Sequence, residues 1–189
     1  MKNKIFRVVL LTLVFVLIAS INIFAYIDRD YEYQQSSNWC WVATAKNLVI
    51  GERPISNPPT ISQTEAVIEI MGTAADDQGS VADTIDAAEY ISENQYGYQS
   101  SDVLSFETLR SLTETLASPA GFFIYNSSAR IGHQLIMYGA ATSNTIYLFD
   151  SASGMGEKSV NYYDFVEGNS RYYLNYTPMT NVYCTAHYW

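Results

Sequence analysis

Residues 34–45 read Gln34-Gln35-Ser36-Ser37-Asn38-Trp39-Cys40-Trp41-Val42-Ala43-Thr44-Ala45. From Trp39 to Ile50 apolar residues and alanines recur at helical spacing, and Gly51 reads as a natural C-terminal stop. Cys40 therefore falls in the first turn of a helix, where the macrodipole and the unpaired N–H groups favour a thiolate over a thiol. The thiolate is the competent nucleophile, so the position carries chemical meaning. Trp39 and Trp41 bring large apolar area to either side of it, which shields a site from water and pins the helix. Both are candidate substrate-binding residues. The glutamines upstream place a carboxamide within reach of the oxyanion formed when Cys40 attacks a carbonyl; such a donor is worth ~2.7–4 kcal/mol in a comparable site.

Beyond this helix, Pro54, Pro58 and Pro59 exclude a regular element. Ser62 and Glu65 form a capping box that opens a second helix, running to about Met71. Ser80 with Asp83 opens a third, to about Glu93, whose apolar face is Val81, Ile85, Ala88 and Tyr90 or Ile91. A fourth runs from Phe106 to Leu116 and is closed by Ser118-Pro119. Then the period changes. Gly121 to Tyr125, Gln134 to Tyr138 and Thr145 to Phe149 are short runs rich in β-branched and aromatic residues, with a hairpin-like connection over 140–144. Gly154, Gly156 and Gly168 mark turns, and Arg171 to Tyr176 and Val182 to Trp189 read as closing strands. Helices first and antiparallel strands afterwards define an α+β plan.

The N-terminal residues are set apart. Lys2, Lys4 and Arg7 precede an apolar run from Val8 to Ala19, and Ala25 precedes the first stretch rich in charge and tyrosine. Residues 1–25 thus read as a signal peptide, which places residues 26–189, one domain, outside the cytoplasm as a secreted or extracytoplasmic protein. The rival reading is an uncleaved anchor, since the uncharged stretch from Val8 to Ile27 reaches the ~20 residues that span a bilayer; membrane contact is expected in that case only. The formal charge is −9. Without Lys2, Lys4 and Arg7 it becomes −12, which excludes nucleic acid as a partner and at most favours a basic substrate. Cys40, Cys184, His133 and His187 are the whole complement of cysteine and histidine. Their scatter shows no metal-ligand spacing, so neither a metal nor another cofactor is expected. A Cys40–Cys184 disulfide is the bland alternative to a reactive thiol, and His187 reads as a surface residue, not a second base.

Three pieces form a joint pattern: Gln-x5-Cys with a tryptophan beside the cysteine; Gly132-His133 opening a strand; and Tyr147-Leu148-Phe149-Asp150 ending the next one. Together they span residues 34–150 and resemble the papain-like cysteine peptidases, within them the compact bacterial branch related to the C39 leader peptidases and the AvrRpt2-type effector proteases. The resemblance implies a papain-like fold, with the cysteine on the first helix of a helical N-terminal half and a C-terminal antiparallel sheet half carrying His and Asp. It implies Cys40 as nucleophile, His133 as base and later acid, Asp150 as the residue that orients the imidazole, and Gln34 as oxyanion donor with Gln35 as the alternative. Gly132 is placed in the substrate-binding wall. Relatives often have Asp-Pro where this chain has Asp150-Ser151, a change to the turn and not to the carboxylate. The expected activity is hydrolysis of a peptide or protein substrate by a monomeric thiol peptidase. The alternatives are acyl transfer to an amine on the same triad, as in a transpeptidase or transglutaminase, and a catalytically silent binding module.

Overall fold

The computed structural model describes residues 24–93, 97–100 and 102–184. The chain runs through β1 (Phe24–Tyr26), α1 (Cys40–Glu52), α2 (Gln63–Met71), α3 (Val81–Ser92) and β2 (Gly97–Gln99). It continues through α4 (Phe106–Thr115), β3 (Ala120–Asn126), β4 (Ile131–Ala141), β5 (Thr145–Asp150), β6 (Gly156–Asn161), α5 (Tyr162–Val166) and β7 (Thr177–Cys184). The α+β plan read from the sequence is the architecture found. Of the expected signal peptide only Phe24 and Ala25 fall within the described residues, where they open β1.

The strands form a seven-stranded sheet in the order β2-β7-β3-β4-β5-β6, with β1 pairing onto β4. Strand β4 is the pivot, and its length explains why. Its first part pairs with β3 from Ile131↔Asn126 to Met137↔Ala120, and its last part pairs on that side with β1 from Gly139↔Tyr26 to Ala141↔Phe24. The other edge of β4 carries β5, with Ile136 opposite Phe149 and Met137 opposite Leu148.

Alternation along these strands sends side chains to two cores. Ile136, Tyr138 and Phe149 pack beneath α1, α2 and α3 with Trp41, Val42, Leu48 and Val67. Leu135, Met137, Ile146 and Leu148 pack on the opposite face with Leu109 of α4 and Phe165 of α5. Each fully buried side chain of this size contributes about 1.5–3 kcal/mol. His133 and Asp150 lie two residues from Leu135 and Leu148, so they share the second face.

Helix α1 is buried nearly all round, from Trp41 through Val49, so it behaves as a central core helix, without one dry stripe. The Ser62 and Ser80 capping boxes both form as read, and Gly72 ends α2 in the left-handed region with φ 77°. Gly51 differs from expectation: it lies inside α1, which continues to Glu52. A Cβ there would sit 2.6 Å from Pro119 Cγ, so this glycine serves close approach, not helix termination. The expected strand from Arg171 to Tyr176 is also absent. That segment turns back on itself through Tyr173 N–H to Ser170 O (3.1 Å), Tyr176 N–H to Tyr173 O (3.0 Å) and Asn175 N–H to Gly168 O (2.9 Å). The closing strand β7 begins earlier than Val182; residues 185–189 lie outside the described region.

Gly51→Ala sets overpacking of about 1–3 kcal/mol against the roughly 0.5–1 kcal/mol that alanine gains in a helix. Because the proline ring is rigid, the expected outcome is a net loss of about 1 kcal/mol, read as a lower urea midpoint with unchanged slope. An unchanged midpoint would show that Pro119 moves aside freely.

Candidate active site

The site is built around the first turn of α1. Trp39 is its N-cap, with φ −92° and ψ 21°, and offers no side-chain cap, so the leading N–H groups of the helix receive no acceptor from that residue. The two indoles hold this helix end in place: Trp39 Nε1–H donates to Ala75 O (3.0 Å) and Trp41 Nε1–H to Asp77 O (3.2 Å). The loop they grip is matched to them, because a Cβ on Gly79 would lie 2.3 Å from the Trp41 ring. Both tryptophans are core residues, 5% and 1% exposed, and neither lines the cleft beside Cys40. The sequence suggested contact with substrate; in the structure both indoles are buried against the 75–79 loop at the start of α1.

The chain that enters α1 is clamped by the helix itself. Asn47 accepts from Glu32 N–H (2.7 Å) and donates from Nδ2 to Glu32 O (2.9 Å). Lys46, which is buried, donates to Pro59 O (2.9 Å) and Ile61 O (2.5 Å). Burial lowers its pKa, with the Glu32 carboxylate opposing that shift. Gln34 follows this clamp. Its backbone N–H donates to Ser151 O (2.9 Å), and its carboxamide nitrogen donates to Ser36 O (2.9 Å) and Ser37 O (2.7 Å). Both amide hydrogens are thus committed to the turn before Cys40, and Gln34 ties that turn to the residue after Asp150. Gln35 is exposed, and its carboxamide oxygen accepts from Thr64 Oγ1 (3.2 Å).

His133 and Asp150 are brought together by the sheet. His133 Nε2–H donates to Asp150 Oδ1 at 2.8 Å, which leaves Nδ1 free of that bond, and Cys40 lines the same cleft as the imidazole. Asp150 is 1% exposed, and a carboxylate so buried requires partners on both oxygens. Oδ1 also accepts from Ala152 N–H (2.9 Å), while Oδ2 accepts from the Tyr173 hydroxyl (3.2 Å). Tyr173 is itself buried and stacks edge-on with Phe165 at 5.6 Å between centroids. No motif pointed to Tyr173 or to the Ala152 amide; one tyrosine among sixteen carries no local signature.

The electrostatics follow from this packing. Burial opposes a charged His133, but the hydrogen bonds and charges of Asp150 and Cys40 outweigh it and push the imidazole up to about 10. Burial likewise opposes an ionised Asp150, yet the His133 hydrogen bond and charge, with Ala152 and Tyr173, leave its pKa below the ordinary carboxylate value. Burial and the Asp150 charge push the Tyr173 hydroxyl well up. Cys40 is a free, half-buried thiol. It opens, with His133, Asp150 and Gly132, onto a cleft of about 750 Å³. Gly132 shapes its floor, because a Cβ there would sit 2.8 Å from the Phe123 ring. Among the described residues no group of three or more His, Cys, Asp or Glu is arranged to hold a metal ion.

Tyr173→Phe keeps the ring and removes one donor from a buried carboxylate, a loss of about 1.5–3 kcal/mol for a hydrogen bond to a charged group. Asp150 has a depressed folded pKa, so the stability it contributes is present above its unfolded value near 4 and fades as pH falls through the folded value. The difference between wild type and Tyr173→Phe in urea unfolding is therefore expected at pH 7 and should shrink at pH 3. A difference independent of pH would mean that the hydroxyl matters only for packing.

No family model matches the sequence, and no curated protein matches it. Among solved structures the chain is similar to the peptidase domain of Streptococcus ComA, described as a bifunctional ABC transporter involved in a quorum-sensing pathway. The match has a TM-score of 0.60 and covers 84% of this chain and 100% of that domain, at 11% sequence identity. At that identity the likeness concerns the fold alone.

Proposed function

We propose that this protein is an extracytoplasmic cysteine peptidase in which Cys40, His133 and Asp150 act as the catalytic triad. The observation that supports the reading is the pairing of His133 with a fully hydrogen-bonded Asp150 on the wall of a cleft that Cys40, the first residue of a helix, also lines. The likeness of the fold to a cysteine peptidase domain supports it.

The Cys40 thiolate attacks the carbonyl carbon of the scissile bond, and the His133 imidazolium gives its proton to the leaving amine. Water then attacks the acyl-enzyme with His133 as base, releasing the acid and restoring the thiol. Asp150 keeps the ring in the orientation and tautomer both steps need. The Cys40 N–H stabilises the oxyanion as part of the helix terminus. Gln34 adds a second donor once one of its amide hydrogens leaves the Ser36 or Ser37 carbonyl. Gly132, beside His133, keeps the cleft open to the substrate backbone. Secretion through residues 1–25 delivers the enzyme to its substrate. Acyl transfer to an amine uses the same residues, and the identity of the acceptor distinguishes it.

Cys40→Ala and His133→Ala are each expected to lower turnover by at least about 10³-fold without unfolding the protein. Asp150→Asn should lose less, since an amide still holds the ring. Mass spectrometry after treatment with an irreversible thiol-directed peptidase inhibitor should place one adduct on Cys40; retention of most activity by either alanine variant would overturn the mechanism.

His133 is raised from about 6.5 to about 10 in the folded protein. Its charged form therefore stabilises the fold fully below about pH 6.5 and progressively less as pH rises toward 10. The same group sets the alkaline limb of the rate. The kcat/KM profile is expected to hold through pH 8 and fall near 10; a fall centred near 6.5 would show that the ion pair does not form.

A further inference from the structure

Seven Lys and Arg residues follow the first 25 residues, against nineteen carboxylates. Four are accounted for away from the site. Lys46 and Arg53 are buried, and Arg110 is paired with Glu114 along α4 at 3.0 Å. Arg29 is spent on the backbone carbonyls of Asp28 (2.7 Å) and Arg53 (3.3 Å), at a second cleft of about 390 Å³ remote from Cys40. Of the remaining three, one lines the cleft and two lie behind its wall at Tyr172. Arg130 lines the cleft from the β3–β4 turn. Arg171 and Lys158 both lie against Tyr172, a lining residue, at 4.4 and 5.6 Å from its ring centroid. Arg171 Nη2 donates to the Tyr172 hydroxyl, and Lys158 Nζ donates to the carbonyl of Met155, which also lines the cleft. Among the described residues none of the three forms an ion pair with a carboxylate.

Arg130 carries a second mark. Its φ is 57°, a left-handed conformation that costs a side-chain-bearing residue roughly 1–2 kcal/mol and that glycine or asparagine fills more easily. The turn already uses Asn126, whose Oδ1 accepts from Ser128 N–H (3.1 Å) and Ala129 N–H (2.9 Å). Ala117 and Glu93 adopt the same conformation, so what sets Arg130 apart is the guanidinium it brings to the cleft wall. Asn38 and Gln78, both uncharged, also line the cleft, and Asp76 accepts from Asn38 N–H at 2.8 Å.

We infer that the cleft selects substrates bearing acidic side chains, received by Arg130 on its wall with Lys158 and Arg171 behind the lining Tyr172. This rests on the peptidase reading and names its substrate class. It reverses what the net charge suggests, because a substrate meets the local field of the cleft after it has crossed the general field of the surface. Tyr172 holds its two cations over an apolar ring, where a guanidinium or ammonium is less hydrated and more available to a carboxylate.

The test compares the full-length mature protein with a R130Q/K158Q/R171Q variant, and with R130Q alone as the milder change. Alkylation of Cys40 by iodoacetate and by iodoacetamide, mapped by mass spectrometry, gives an anion-to-neutral rate ratio independent of peptide sequence. That ratio is expected to fall about two- to five-fold per cation removed at low salt, and the wild-type ratio should decline toward that of the triple variant as salt rises. Matched peptidyl acyloxymethyl ketones with Glu or Lys beside the reactive carbonyl should inactivate the wild type in the order Glu before Lys, and the triple variant without preference. An unchanged alkylation ratio, or a Lys probe as fast as the Glu probe, overturns the inference. A Cys40 that alkylates no faster than an unfolded thiol overturns the peptidase reading instead.

Discussion

A carboxylate that is 1% exposed imposes the strongest constraint on this structure. Leaving Asp150 in that position without partners would cost far more than the fold can spare, so the surroundings have to supply donors on every side. They do so from one neighbour and two distant segments: Ala152 from the turn after β5, His133 from β4, and Tyr173 from the segment before β7. The carboxylate in turn decides the state of the histidine. An imidazole buried beside an ionised Asp150 is cheaper to keep charged than neutral, which is why burial fails to lower its pKa. The geometry of the site and its protonation are thus one problem with one solution.

Cys40 is positioned by different means, through the depth of α1 in the helical core. A helix buried nearly all round cannot roll to relieve strain at one end, and the Asn47 clamp and the two indoles fix its start against both the incoming chain and the 75–79 loop. Gln34 joins the two halves, since it grips the turn before Cys40 while its backbone bonds to Ser151. A rigid α1 and a rigid β4–β5 pair then meet at one imidazole.

What the sequence made legible follows the range of the interactions involved. The capping boxes at Ser62 and Ser80 are closed within four residues, so a local pattern suffices, and the α+β order is a property of successive segments. The elements that carry Cys40, His133 and Asp150 were readable from local composition, and Cys40 begins α1 while Asp150 ends β5 as expected. Gly51 was misread because its reason, the ring of Pro119, is distant in the chain and nothing nearby signals it. Arg171 to Tyr176 carries the composition of a strand, yet its tyrosines serve a cleft wall and a buried carboxylate. Aromatic residues used for a site look the same in sequence as aromatic residues used for a sheet. Strand β6 and helix α5 escaped notice for the opposite reason: GEKSVN is polar, and only pairing with β5 makes it a strand.

Charge shows the same limit at a larger scale. A net charge sums every ionisable group with equal weight, whereas a ligand in a cleft senses only groups within about a Debye length, roughly 8–10 Å at moderate salt. In this protein three of the seven cations beyond residue 25 lie at Tyr172 and the β3–β4 turn, where Arg130 and Tyr172 line the cleft. The acidic surface can keep the protein dispersed without setting what the cleft accepts. Solubility and selectivity are then carried by separate sets of residues, and each can change without disturbing the Asp150–His133 pair on which the site is built.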